Sequence, residues 1–173
     1  MKGIFMANGN GNGNGEMKKH IIGLLVEDHP GVLGRLTGLF LRRGFNIDTI
    51  IVGSTAKPGV SHIIISLRGD DKTLEQLEKQ VYKIIEVLKI IELSSGSVIR
   101  EHCLVKVNST PKTRQDIINF AQLNKGNVLE ANANSILIEI AAEPAKIDDL
   151  VEALKPFGIK ELSRTGINAM LRK

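Results

Sequence analysis

The sequence predicts an α+β protein made of two successive β-α-β-β-α-β units. Short apolar runs of strand length alternate with stretches whose apolar residues recur at helical spacing. The order of elements restarts after Ser94-Ser95-Gly96-Ser97, a linker of small residues. The chain has 173 residues, enough for two small domains, and only 3% are aromatic, so each core is aliphatic.

The first unit opens with an apolar run, residues 21–26, that leads into Glu27-Asp28-His29-Pro30-Gly31. Val32, Leu33, Leu36, Leu39 and Phe40 follow at helical spacing, so a strand, a tight polar turn and a helix are expected. Pro30 suits a first helical turn, where a missing N–H costs nothing. Gly31 permits close approach, or a backbone conformation that other residues resist. Arg42 and Arg43 oppose the negative end of the helix, and Gly44 stops it. Residues 47–52 are a β-branched strand, Ala56-Lys57-Pro58-Gly59 a turn, and residues 60–67 a third strand. After Gly69-Asp70-Asp71 a second helix is expected, with Leu74, Leu77, Val81, Ile84, Ile85 and Leu88 on one stripe, before a strand at 89–93. Two helices on one face of a four-stranded antiparallel sheet make the ferredoxin-like arrangement. The other face, or an edge, needs cover, which predicts a partner chain.

The second half repeats this order without a visible sequence repeat. Strands are expected at 98–107, 128–131, 135–141 and 159–162, with helices at 113–123 and from Pro144 through Leu154. The tail, 165–173, suggests a short helix through Ile167, Met170 and Leu171. The predicted organisation is thus a leader at 1–17, one unit at 18–95 and another at 96–173. The leader holds four Asn-Gly pairs at 8–15 and cannot bury enough apolar surface to offset its ordering entropy, so disorder is expected there.

Several function classes are disfavoured. The net charge is +4, but no segment carries the dense basic patch of a nucleic-acid binder. No run approaches the roughly 18–20 apolar residues of a membrane span. Cys103 is the single cysteine, which excludes an internal disulfide and fits a reducing, cytoplasmic setting. His20, His29, His62 and His102 have no metal-like spacing, and the adjacent His102 and Cys103 face opposite sides of a strand. No catalytic set and no metal site are expected. Cys103 reads as a small core residue.

What remains is a binding site. N–H groups around residues 29–33 would leave the turn unpaired and attract a carboxylate. If the second strand lies beside the first, Asn46 reaches the mouth of this turn, where an amide both donates and accepts. Asp28 either caps the helix or meets a ligand ammonium. The second half lacks the Pro-Gly turn, so no equivalent site is expected there.

These residues resemble the ACT domain, a small ligand-binding module. The wording is closer still to the small, regulatory subunits of acetolactate synthase (acetohydroxyacid synthase). The matching pieces are "GLLVEDHPGVLGRLTGLFLRRGFNIDTIIVG", "LEQLEKQVYKIIEVLKI", "REHCLVKV", "GNVLEA" and "RTGINAMLRK". The resemblance implies a non-catalytic chain, with a catalytic large subunit as partner. Thiamine diphosphate, a divalent metal and FAD would reside on that partner, and no cofactor on this chain. It implies a homodimer that activates the partner and confers feedback inhibition by valine, or by isoleucine or leucine. The effector would lie between two ACT domains, at Asp28, His29, Pro30, Gly31, Val32, Leu33, Asn46 and Ile47, with Val32 or Leu33 against its side chain. The alternative is a free-standing amino-acid sensor, or a metal- or ligand-responsive regulator, of the same fold.

Overall fold

Successive side chains point to opposite faces of a strand, so every second residue of each strand faces the helices. The computed structural model describes residues 17–172. Of the leader at 1–17 for which disorder is expected, residues 1–16 lie outside the described residues. The first unit comprises β1 (Lys18–Glu27), α1 (Val32–Arg43), β2 (Ile47–Ser54), β3 (Val60–Gly69), α2 (Asp71–Val81) and β4 (Val87–Glu92). The second comprises β5 (Ser97–Asn108), α3 (Arg114–Leu123), β6 (Asn127–Asn132), β7 (Ser135–Ala142), α4 (Pro144–Leu154) and β8 (Ile159–Leu171). Each forms an antiparallel sheet, in the orders β2-β3-β1-β4 and β6-β7-β5-β8.

In the first unit Ile22, Leu24, Val26, Ile63, Ile65 and Leu67 pack against Leu36 and Phe40 of α1 and Leu77 and Val81 of α2. In the second, Cys103, Val105, Val107, Ile136, Ile138 and Ile140 meet Ile117, Ala121, Ile147, Leu150 and Leu154. Each such aliphatic side chain contributes about 1.5–3 kcal/mol on full burial. Gly44, at φ 69°, ends α1 in the left-handed conformation that the Arg-Arg-Gly sequence foretells. Asp70 caps α2 by accepting from the Thr73 N–H at 2.8 Å and the Thr73 hydroxyl at 2.6 Å.

Three expectations are corrected. The stripe beyond Val81 is not helix: Ile84 packs at the core rim, whereas Ile85 is 86% and Leu88 50% exposed, because the chain turns there into β4. The tail is not helix either. It extends β8 to Leu171, because β5 offers ladder partners all along its length, from Val107 opposite Ile159 to Ser97 opposite Leu171. Finally, the outer face of the first sheet is covered partly from within the chain. Ile167 and Ala169 of β8, with Ile99 of β5, pack on Ile21, Ile64 and Leu93. The stretch 93–96 is correspondingly stitched down: the Leu93 N–H donates to Ile21 O at 2.8 Å, and Ser94 Oγ accepts from the Ile21 N–H at 3.0 Å.

The junction between units is close. A Cβ on Gly166, whose φ is +85°, would stand 2.8 Å from Thr49 Cβ of β2. Beside it, Arg164 donates to both carboxylate oxygens of Glu101, at 2.8 and 2.6 Å, and to Asp148 at 2.6 Å. Glu101 is buried, and its hydrogen bonds, followed by those of Asp148, hold the Arg164 guanidinium firmly in its charged form against the opposing effect of burial.

Candidate functional site

The turn after β1 is held from two sides. The Glu27 N–H donates to Glu86 O and the Asp28 N–H to Gly59 O, both at 2.9 Å. Gly31 then takes φ 96° and ψ −18° as the residue before α1, with no side chain capping the helix. Of the two roles open to Asp28, the capping one is therefore absent, and its carboxylate is exposed. The first helical bond runs from the Arg35 N–H to Gly31 O at 3.0 Å. Among the described residues, the N–H groups of Gly31, Val32, Leu33 and Gly34 make no turn or cap bond, and the first turn has no acidic side chain. Four donors thus stand unpaired at the positive end of a helix, the arrangement that favours an anion. Pro30 has no N–H to give, so the row of donors starts at Gly31.

Around this row the side chains divide. His29 is exposed, with Nδ1 3.1 Å from Pro30 O and Nε2 3.5 Å from Glu27. Val32 is 3% exposed and belongs to the core, so only Leu33, at 43%, is free to touch a ligand. Ile47 packs at the rim of the same core.

Asn46 does not join the turn of its own chain. Ile47 pairs with Leu67, which pairs with His20 near the start of β1. The turn lies beyond the far end of β1, about 25 Å away at strand rise. The reason is topological: α1 carries the chain back along the sheet before β2 begins, and β3 separates β2 from β1. Within one chain, Asn46 and this turn therefore lie at opposite ends of the sheet.

Sequence reasoning passed over Glu86. It is 4% exposed and ion-paired with Arg35, with its Oε2 unpartnered. The signal was a lone acid within Ile84-Ile85-Glu86-Val87. Cys103 is 1% exposed, and burial pushes its thiol up, with Arg164 opposing weakly. Among the described residues, no group of three or more His, Cys, Asp or Glu is placed to hold a metal, and no helix is long and apolar enough to cross a membrane.

Known proteins match this architecture over both units. Residues 22–89 match the model of the ACT domain of acetohydroxyacid synthase small subunits, and residues 100–173 that of the small subunit of acetolactate synthase. A probable acetolactate synthase small subunit of Archaeoglobus fulgidus is 41% identical, over 89% of this chain and 97% of its own. The acetolactate synthase small subunit of Bacillus subtilis is 42% identical, over 89% and 91%. This chain belongs to the acetolactate synthase small-subunit family. The crystal structure of the small subunit from Thermotoga maritima agrees in fold, with a TM-score of 0.85 at 37% identity over 90% of this chain and 98% of that one. The unit from β1 to β4 is accordingly the family's ACT domain, and the turn before α1 is part of it.

Proposed function

We propose that this chain is the regulatory subunit of an acetolactate synthase. It binds the catalytic large subunit, raises its activity and confers inhibition by valine or a related branched-chain amino acid. The observation that carries this reading is the match to small subunits through both units and nearly the whole chain. Thiamine diphosphate, the divalent metal and FAD belong, on this reading, to the large subunit.

The effector reading draws support from the turn. A valine carboxylate would accept from the N–H groups of Gly31, Val32 and Leu33, aided by the helix end, whose field contributes about 0.3–1 kcal/mol when exposed. Leu33 would meet the apolar side chain. Asn46 would come from a second copy. β2 is an edge strand, and its Ile50 and Val52 are 37% and 48% exposed. Two β2 strands pairing antiparallel about a two-fold axis cover these edges. The same pairing carries the partner's β2 start toward the turn end of this sheet, so each site takes its turn from one chain and its amide from the other.

Mixing variants tests this arrangement. Gly31→Asp and Asn46→Ala homodimers should each fail to bind valine by calorimetry. A mixed dimer of the two keeps one intact pairing of turn and amide, and should regain one site per dimer. No recovery on mixing would mean that the site does not span two chains. Valine inhibition of the synthase reconstituted with the large subunit tests the regulatory reading itself. The second unit, which lacks the turn, is assigned to holding or activating the large subunit.

A further inference from the structure

A groove of about 520 Å³ lies between α1 and the C-terminal end of α2, on the helical side of the ACT domain. Its walls carry Arg35, Arg42 and Arg43 from α1 and Lys83 from the turn after α2. Arg35 is engaged by Glu86, and Arg43 donates to Gln80 at 3.2 Å. Among the described residues, Arg42 and Lys83 have no ion-pair partner. The helix ends account for part of this positive charge, but not for its gathering around one depression.

The second observation is the acid at its base. Glu86 lines the groove, is 4% exposed and keeps Oε2 without a hydrogen-bond partner. A buried carboxylate oxygen without a donor is a costly arrangement unless a ligand supplies one. The groove therefore asks for two things together: carboxylates for its cations and an N–H for its acid. A phosphate or nucleotide phosphate group that brings acceptor oxygens only would leave Glu86 Oε2 without a donor. A peptide with acidic side chains brings both. Ile85, 86% exposed at the same rim, adds an apolar contact.

We propose that this groove docks an acidic segment of the catalytic large subunit. Its carboxylates meet Arg42, Arg43 and Lys83, and a main-chain N–H meets Glu86. The proposal rests on the reading of this chain as a synthase subunit, and adds a contact on the ACT domain to the one assigned to the second unit.

The test is binding of the full-length chain to its purified large subunit, followed across a range of salt. The double variant Arg42→Glu/Lys83→Glu should bind at least about tenfold more weakly at low salt, with a flatter salt dependence than wild type. The neutral pair Arg42→Gln/Lys83→Gln should fall between, and gives the same reading if charge reversal perturbs folding. Valine binding and melting temperature should be unchanged in the neutral pair. A hexaglutamate peptide should compete with the large subunit, and inorganic phosphate at matched ionic strength should not. Wild-type affinity and salt dependence in both variants would overturn the groove assignment alone, as would competition by phosphate equal to that of the peptide. Failure of the wild-type chain to bind the large subunit would overturn the regulatory reading beneath it.

Discussion

At the scale of single residues, Gly31 decides most. Its φ of 96° is a conformation that costs an ordinary L-residue about 1–2 kcal/mol, and the direction a Cβ would take is open space. A Cβ there has no protein atom within 4 Å, and on the effector reading proposed above it would enter the ligand's volume. Gly31→Asn and Gly31→Asp impose the same strain and nearly the same shape, but only Asp adds a charge. Both should lower stability by about 1 kcal/mol in urea titrations. Asp should abolish valine binding by calorimetry, because like charges at close range repel, and Asn should only weaken it. Dimerisation and activation of the large subunit should persist in both. This turn was legible from the sequence because its chemistry is local: a proline, a glycine and a helix start lie within four residues. Asn46 was not, because its place depends on where a helix and an intervening strand carry the chain.

Among the elements, α2 offers the clearest pH dependence. The hydrogen bonds from the Thr73 hydroxyl and N–H hold the Asp70 carboxyl below the usual carboxylate range. A carboxylate depressed in the folded state adds stability that is present above its unfolded pKa and lost as pH falls through the folded value. Asp70→Ala should therefore lower the urea midpoint at neutral pH, with the gap to wild type narrowing below about pH 4. An undiminished gap at pH 3 would mean that the cap acts without its charge. Most elements could be read from periodicity, but β8 shows where that fails. Ile167, Met170 and Leu171 have helical spacing, yet Ile167 and Ala169 also alternate with Asn168 and Met170. The sequence allows both periods, and the long β5 ladder selects the strand. Similarly, Ile84 and Ile85 continue the α2 stripe in sequence while the chain has already turned toward β4.

Across the whole molecule, the two units are one packed body where β8 crosses the first sheet. Gly166 lies close against Thr49 there, and Thr49 in turn shares a hydrogen bond of 2.7 Å with Ser66. Gly166→Ala would force backbone or Thr49 to move and would strain a positive φ. It should destabilise by about 1–3 kcal/mol. Because Asn46 immediately precedes β2, which carries Thr49, the contact links the proposed site to the second unit, and valine should still bind this variant while inhibiting the reconstituted synthase less. Full inhibition with normal valine affinity would show that this contact carries no coupling. The packing also bears on how the chain is made. As the first unit leaves the ribosome, Ile21, Ile64 and Leu93 emerge with nothing over them, and Ile167 and Ala169 follow only after the second unit has been translated. For that interval the nascent chain presents a bare aliphatic sheet face, a surface that a chaperone would be drawn to and that a prematurely terminated product would never lose.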